Sequence, residues 1–328
     1  MRRGNEWTIA VAMGVVCIAP AAANAQAPST SQILNEFNLV TTGNVSGSSS
    51  DPTKVGGNAV IGGNLSGRST FLSGGVAGET VEAYGTVTST SSSRVTIDSS
   101  GYLQYGTLAT GSTVTYSPTG SRGIHGGFSL TSSQYTAPLT KFSSLIDTLG
   151  GSSNVSVNAI SLSGGTLDFN ANYESLSGIV IFDVAERSLN SLFGNNDPVK
   201  FNDGTGVSGV EAYVVNVTGD TSGYTTPNWT PSSPQTSVLF NFGGFSTGNT
   251  LTVGNFKASI LAPNASVSVT NGDTLYGSLF AANFTGGTLS NNTFAGTFNL
   301  PEPATLGVFG AGIAGLVLTR ARRKRREE

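Results

Sequence analysis

Cysteine is almost missing from this chain of 328 residues: Cys17 is the only one, and it lies near the amino terminus. Beyond it the chain can form no disulfide, no thiol nucleophile and no thiolate metal site. Histidine is as scarce. His125 stands alone in Gly123-Ile124-His125-Gly126-Gly127, too few ligands for zinc. A catalytic triad would need it paired with a nucleophile and a carboxylate, so it reads as a loop residue. Charge is sparse as well. Between Gln26 and Leu300, 15 Asp and Glu stand against 8 Lys and Arg, a net charge of −7. An acidic body lacks the basic face that nucleic acid requires.

Small residues fill the space. Glycine numbers 44, roughly 13% against an average near 7%, and Ser, Thr and Asn abound. Disorder would also need few β-branched and aromatic residues, whereas Val, Ile, Leu, Phe and Tyr recur throughout. Short alternating pairs such as Val81 and Ala83, Val95 and Ile97, Leu103 and Tyr105, and Val114 and Tyr116 predict many short strands. Ile179-Val180-Ile181-Phe182 and Tyr213 to Val217 are continuous apolar runs, expected of strands buried on both faces. Gly56-Gly57-Asn58 returns as Gly62-Gly63-Asn64, which suggests two coils of a β-solenoid, or a hairpin. Residues 220 to 236, with three prolines and Trp229, read as a loop or surface excursion. Ile33 to Val40 is expected as a first strand or an end cap.

One stretch has helical spacing: Leu139, Phe142, Leu145, Ile146 and Leu149, ended by Gly150-Gly151. Thr136 is the expected cap, with Pro138 in the first turn. Lys141, Ser143, Ser144 and Asp147 are assigned to the opposite, outer side. The fold class expected is mainly β, a β-solenoid with this one amphipathic helix packed alongside, plus an N-terminal signal helix and a C-terminal transmembrane helix.

Candidate binding groups are few. Asp197, Asp203 and Asp220, with Asn195, Asn196 and Asn202, form oxygen-rich turns of the sort that hold calcium, but without an EF-hand or nonapeptide spacing; turn capping is the simpler role. Asn216, Asn241 and Asn264 lie in or beside apolar strands, either as a ligand-binding row or as amides bonded along the turns. No catalytic residue, metal ligand or cofactor is assigned, and the body reads as non-enzymatic.

The two ends carry the clearest signals. Arg2 and Arg3, an apolar run from Trp7 to Ala19, and Ala23-Asn24-Ala25 form a signal peptide over 1–25, cut by signal peptidase at Ala23 and Ala25. A linker over 26–32 leads to a body over 33–300. At the other end, Pro301-Glu302-Pro303 precedes an uncharged run from Ala304 to Thr319, and six of residues 320–326 are basic. Sixteen residues span roughly 24 Å as a helix, enough to cross a thinned bilayer with the basic end cytoplasmic. An ordinary C-terminal anchor would look similar. The full tripartite tail, 301–328, resembles the PEP-CTERM sorting signal. That resemblance implies processing by an exosortase at Pro301, Glu302 and Pro303, and release to the surface or extracellular matrix of a Gram-negative bacterium.

A second resemblance covers most of 33–298. Val238-Leu239-Phe240-Asn241-Phe242, Ser259-Ile260-Leu261-Ala262-Pro263-Asn264-Ala265 and Gly277-Ser278-Leu279 look like the choice-of-anchor A domain. It implies an adhesive solenoid with a helix alongside, so that the expected partners are extracellular polysaccharide or neighbouring cell surfaces. Two other functions stay open: an ice-binding protein, which would need a flat face of regular threonines that the sequence spacing does not show, and a polysaccharide-cleaving enzyme.

Overall fold

The computed structural model describes residues 27–73, 80–98, 101–116, 122–176, 178–194, 197–205 and 207–297. The signal peptide with Ala23 and Ala25, the tail with Pro301, Glu302 and Pro303, and the turn residues Asn195 and Asn196 lie outside the described residues.

The chain is mainly β, built from parallel sheets: a 14-stranded sheet that turns a corner, a six-stranded sheet and a small three-stranded sheet. Among the described strands, the pairing of Ala159–Ser163 with Thr166–Ala171 is the antiparallel one, beside an isolated antiparallel bridge between Leu176 and Ile179. Three ladders of apolar side chains point inward. The first runs Ile260, Leu279, Leu39, Ala59, Val81, Leu103. The second runs Leu251, Val267, Phe284, Val45, Leu65, Val87. The third runs Leu275, Leu289, Val55, Phe71, Ile97. All of these residues are buried in one continuous core. Successive stretches of the chain, such as Leu39–Val55 and Ala59–Phe71, thus lend one strand to each of the three ladders, whereas the chain after Ile179–Ala185 goes on to the three-stranded sheet. Register shifts between Ala83 and Thr86, and between Ala262 and Ser266, mark the corner between the first two sides.

The windings do not follow sequence order. The strand Leu39–Thr41 pairs on one edge with Ala59–Ile61 and on the other with Leu279–Thr285. The chain thus starts in the middle of the stack, winds to one end, crosses to the other and winds back to meet its own beginning.

The crossing is made by α2 (Ser132–Gly150), 19 residues long. At 1.5 Å per residue it spans about 28 Å, close to the width of seven strands at about 4.8 Å spacing. Its buried residues, Tyr135, Leu139, Phe142, Ser143, Ile146 and Gly150, recur every three or four positions and lie on a second apolar layer that includes Val40, Val60, Leu239, Leu261 and Phe280. The helix starts earlier than expected from Thr136. Thr131 is the cap, its backbone N–H donating to Gln134 Oε1 at 2.8 Å, and Pro138 falls in the second turn, where only the Gln134 carbonyl loses a donor.

Other expectations are corrected. The linker ends before residue 30, because Ser29 and Gln32 form a reciprocal capping box and start the helix α1 (Thr30–Glu36), which buries Ile33 and Leu34. Gly56-Gly57-Asn58 and Gly62-Gly63-Asn64 flank one strand, so they are two corners of the same winding. At the second corner Asn64 Oδ1 accepts from Thr86 N–H, Asn44 Oδ1 from Asn64 N–H, and Asn283 Oδ1 from Asn44 N–H, each at 2.8 Å. Asparagine carries this ladder because a carboxamide reaches the backbone of the next winding, and Gly63 leaves it room: a methyl group there would sit 2.6 Å from Asn44 Oδ1. The segment 220–236 is not a surface excursion. Trp229 is fully buried, its ring 5.2 Å from Phe193 and 5.5 Å from Phe240 and Phe256. The short helix α3 (Leu189–Phe193) buries Leu189 and Phe193.

Among the described residues, no helix is long and apolar enough to cross a membrane.

Candidate functional site

Alternation along each strand sets what faces outward: the neighbours of the inward ladders. On the second side these neighbours are Thr225, Thr252, Ser268, Thr285, Ser46, Ser66 and Thr88, on seven successive strands. All seven are exposed or half-buried. A parallel sheet fixes their spacing at about 4.8 Å per strand, so they form a straight row of uncharged hydroxyls. A second column begins beside it with Thr250, Ser266 and Asn283. There Asn283 Nδ2 donates to Ser266 Oγ at 3.0 Å.

The third side has its own row: Thr274, Thr288, Lys54, Thr70, Thr96 and Thr115. Five threonines and one lysine thus line up across six strands. Sequence spacing could not reveal this, because Thr70, Thr96 and Thr115 are 26 and 19 residues apart and Thr274 and Thr288 come from the far half of the chain.

The first side is closed by α2. Its polar groups point at one another beneath the helix. Asn241 Nδ2 donates to Asp147 Oδ1 at 2.9 Å, to Asn216 Oδ1 at 2.9 Å and to the Ser143 carbonyl at 3.3 Å. Ser143 Oγ donates to Asn241 Oδ1 at 2.6 Å, and Asn216 Nδ2 to Asp183 Oδ1 at 2.7 Å. Ser143 and Asp147 therefore face the sheet, not the outer side expected from their polarity. Burial, and next the charge of Asp183, push the Asp147 carboxyl up to about 6 despite the hydrogen bond from Asn241. At the other end of the helix, Tyr84 and Tyr135 hydroxyls donate to Glu82 at 2.8 and 3.3 Å. Burial raises the Glu82 carboxyl further than those two bonds lower it.

This fixes the role of the asparagines. Asn216 and Asn241 are buried and spent on internal bonds, and Asn264 Nδ2 donates to the Gly243 carbonyl at 3.4 Å. They are the bonded amides of the turns and the helix seat, not a ligand-binding row. The acidic turn residues part company. Asp203 accepts from the Tyr213 hydroxyl at 3.0 Å, while Asp220 Oδ1 accepts from the Ser246 N–H at 2.7 Å and also from Asn249. Among the described residues no three His, Cys, Asp or Glu assemble into a group able to hold a metal. His125 closes the strand Arg122–His125 rather than lying in a loop; it is exposed, its ring tilted against Tyr105 at 5.7 Å.

Comparison with known proteins adds four findings. The family model described as "Putative Ice-binding-like adhesive domain" matches residues 30–292, and the PEP-CTERM protein-sorting motif matches residues 299–324. No curated protein matches. Among solved structures, the ice-binding protein from the Antarctic ascomycete Antarctomyces psychrotrophicus is similar at 14% identity, over 81% of this chain and 97% of that one, with a TM-score of 0.27.

Proposed function

The chain belongs to the ice-binding-like adhesive domain family, and on that premise we propose that its body is a three-sided β-solenoid that holds extracellular polysaccharide through its hydroxyl row. Export and sorting follow from the PEP-CTERM motif, which implies processing by an exosortase and delivery to the cell surface of a Gram-negative bacterium. In this reading residues 1–25 are a signal peptide cut at Ala23 and Ala25, and Pro301, Glu302 and Pro303 are the sorting signal. The run 304–319 holds the membrane until the tail is removed, with 320–326 on the cytoplasmic side. The likeness to choice-of-anchor A domains belongs to the same reading.

The observation that carries it is the row Thr225 to Thr88. Its hydroxyls both donate and accept, they carry no charge, and they repeat from strand to strand as sugar hydroxyls repeat along a polysaccharide. Many weak bonds of this sort add up through multivalency. The body is non-enzymatic in this reading; its raised carboxyls, Asp147 and Glu82, lie under α2 and hold the helix. The test is retention of the full chain on immobilised polysaccharides, with valine placed at Thr252, Ser66 and Thr88 together. Loss of retention is expected. Retention equal to that of the unchanged protein would remove the hydroxyl row from the function.

The row Thr274 to Thr115 favours a second reading, ice binding through the third side. Its measurement is partition of the full chain into a slowly growing ice front, with tyrosine at Thr70 and Thr96 as the blocking change.

A further inference from the structure

An unpaired sheet edge offers a row of backbone donors and acceptors to any other chain, and most edges of this molecule are guarded. The strand Arg122–His125 carries an arginine and a histidine, and Val199–Asp203 carries Lys200 and Asp203. Thr115–Tyr116, Tyr224–Thr225 and Thr274–Leu275 are two residues long. Along Ile179–Ala185, the Ile179 carbonyl accepts from the Ser175 N–H at 2.9 Å and the Ile181 carbonyl from Asn158 Nδ2 at 2.9 Å. The outer strand of the three-stranded sheet, Ala159–Ser163, has none of these protections. Its sequence Ala-Ile-Ser-Leu-Ser holds no charge and no proline. It pairs with Thr166–Ala171 in unbroken register, without a bulge, and every residue of it except Ile160 is exposed.

The backbone of this strand is set for a partner. Gly164 and Gly165 turn the chain between the two strands with φ of +58° and +77°, the type I′ geometry that glycine permits. A two-residue turn makes Ser163 and Thr166 a hydrogen-bonded pair, and alternation gives Ser161 with Asp168 and Ala159 with Asn170 the same status. The N–H and C=O groups of Ile160 and Leu162 therefore point away from the sheet, and among the described residues none is bonded to them. Side chains follow the same parity. Ile160 and Leu162 lie on the face of their register partners Phe169 and Leu167, which are buried. Leu162 is nevertheless 40% exposed, and Val157 and Tyr173, just outside the sheet, are exposed as well.

We propose that Ala159–Ser163 is a self-association edge, on which the same strand of a second copy of this chain pairs antiparallel about Ser161. The strand is symmetric in the way a two-fold joint requires. Centred on Ser161, Ile160 meets the partner's Leu162, and Ala159 meets the partner's Ser163. Ile160 and Leu162 are the residues whose backbone groups point outward, so each such pair exchanges both of its hydrogen bonds. On the inner face the same two side chains cover one another. On the outer face Asp168 and Lys200 are register partners. The row across the joint then reads Lys-Asp-Ser-Ser-Asp-Lys, with the two carboxylates held apart by uncharged strands. One short strand a side is a small joint beside the roughly 1,200–2,000 Å² of stable interfaces, so the dimer should come apart on dilution. None of this depends on what the hydroxyl row binds, but a dimer would present that row twice and gain avidity from it.

The scarcity of cysteine makes the test direct. In the full chain carrying Cys17→Ser, Ser161→Cys should give a disulfide-linked dimer under mild oxidation. The two positions form a non-hydrogen-bonded pair with Cα atoms about 4.5 Å apart, within disulfide reach. Ser163→Cys, exposed on the same strand, faces the partner's Ala159 and lies roughly 14 Å along the strands from its own copy, so it should stay unlinked. A non-reducing gel reads both. Sedimentation of the full chain in detergent should show a dimer that falls away on dilution, and Leu162→Lys should abolish it. Ser161→Lys and Ser161→Glu should each weaken association severalfold, because like charges then stand directly opposed, and mixing the two variants should restore it. Cross-linking in neither cysteine variant, or equally in both, overturns the pairing. A chain that is monomeric throughout overturns it too. So does a dimer indifferent to Leu162→Lys, which would place association elsewhere, such as in the apolar tail.

Discussion

Asn241 sits where two strands and a helix meet, and its carboxamide alone joins Ser143, Asp147 and Asn216. Removing a shared partner leaves several buried groups unpaired at once, which costs more than the bonds themselves contribute. Asn241→Leu should therefore lower stability by about 2 kcal/mol or more, read by chemical denaturation. Asp147 behaves differently. Its folded-state value of about 6 lies above the ordinary 3.8, so the folded protein holds this proton more tightly than the unfolded chain. Stability from it is present in full below about pH 4 and is lost as pH rises through about 6. Glu82 is raised as well and acts in the same direction. Water reaches Asp147, so the loss is discounted to about 1 kcal/mol. Melting temperature followed from pH 4 to pH 7 should fall for the natural protein and fall less for Asp147→Asn, which should be the more stable of the two at pH 7. A variant that is weaker by the same amount at both pH values would contradict this.

At the scale of elements, α2 is the most exposed to test. Ile146 is fully buried between helix and sheet, and Ile146→Asp should cost about 3 kcal/mol or more by placing an unpaired charge there. Ser144→Asp, one turn position outward and exposed, should stay within about 0.5 kcal/mol. Equal melting of the two variants would mean the helix is not docked. This helix was largely legible, since Leu139, Phe142 and Ile146 follow helical spacing. Its start is not, because Pro138 suits a first turn so well that it masks the Thr131–Gln134 box. Residue type points Ser143 and Asp147 to the outer side, whereas steps of four from Leu139 put all three on one stripe. The hydroxyl row and the threonine row were illegible for a different reason. Each is a line across strands, and steps that vary from 14 residues, between Thr274 and Thr288, to 27, between Thr225 and Thr252, erase any fixed period.

For the molecule as a whole, the sorting tail gives the clearest cellular prediction. Changing Pro301, Glu302 and Pro303 to alanine should leave the apolar run attached and the protein in the inner membrane, because alanine is at least as good a helix former. Mass and fractionation of the natural and altered proteins measure it. An unchanged location, with residues 304–328 retained in both, would make the tail an ordinary anchor. The meeting of the two ends in mid-stack also sets an order in time. Leu39 finds one neighbour in Ala59 soon after it emerges, but its other neighbour, Leu279, is 240 residues later. A contact that distant closes slowly, and until it closes the strand Leu39–Thr41 presents an open edge to any passing chain. The leading half must cross the membrane and wait. The strand that completes it, Leu279–Thr285, comes less than two dozen residues before Pro301, so the body can be sealed only as the sorting signal itself reaches the membrane.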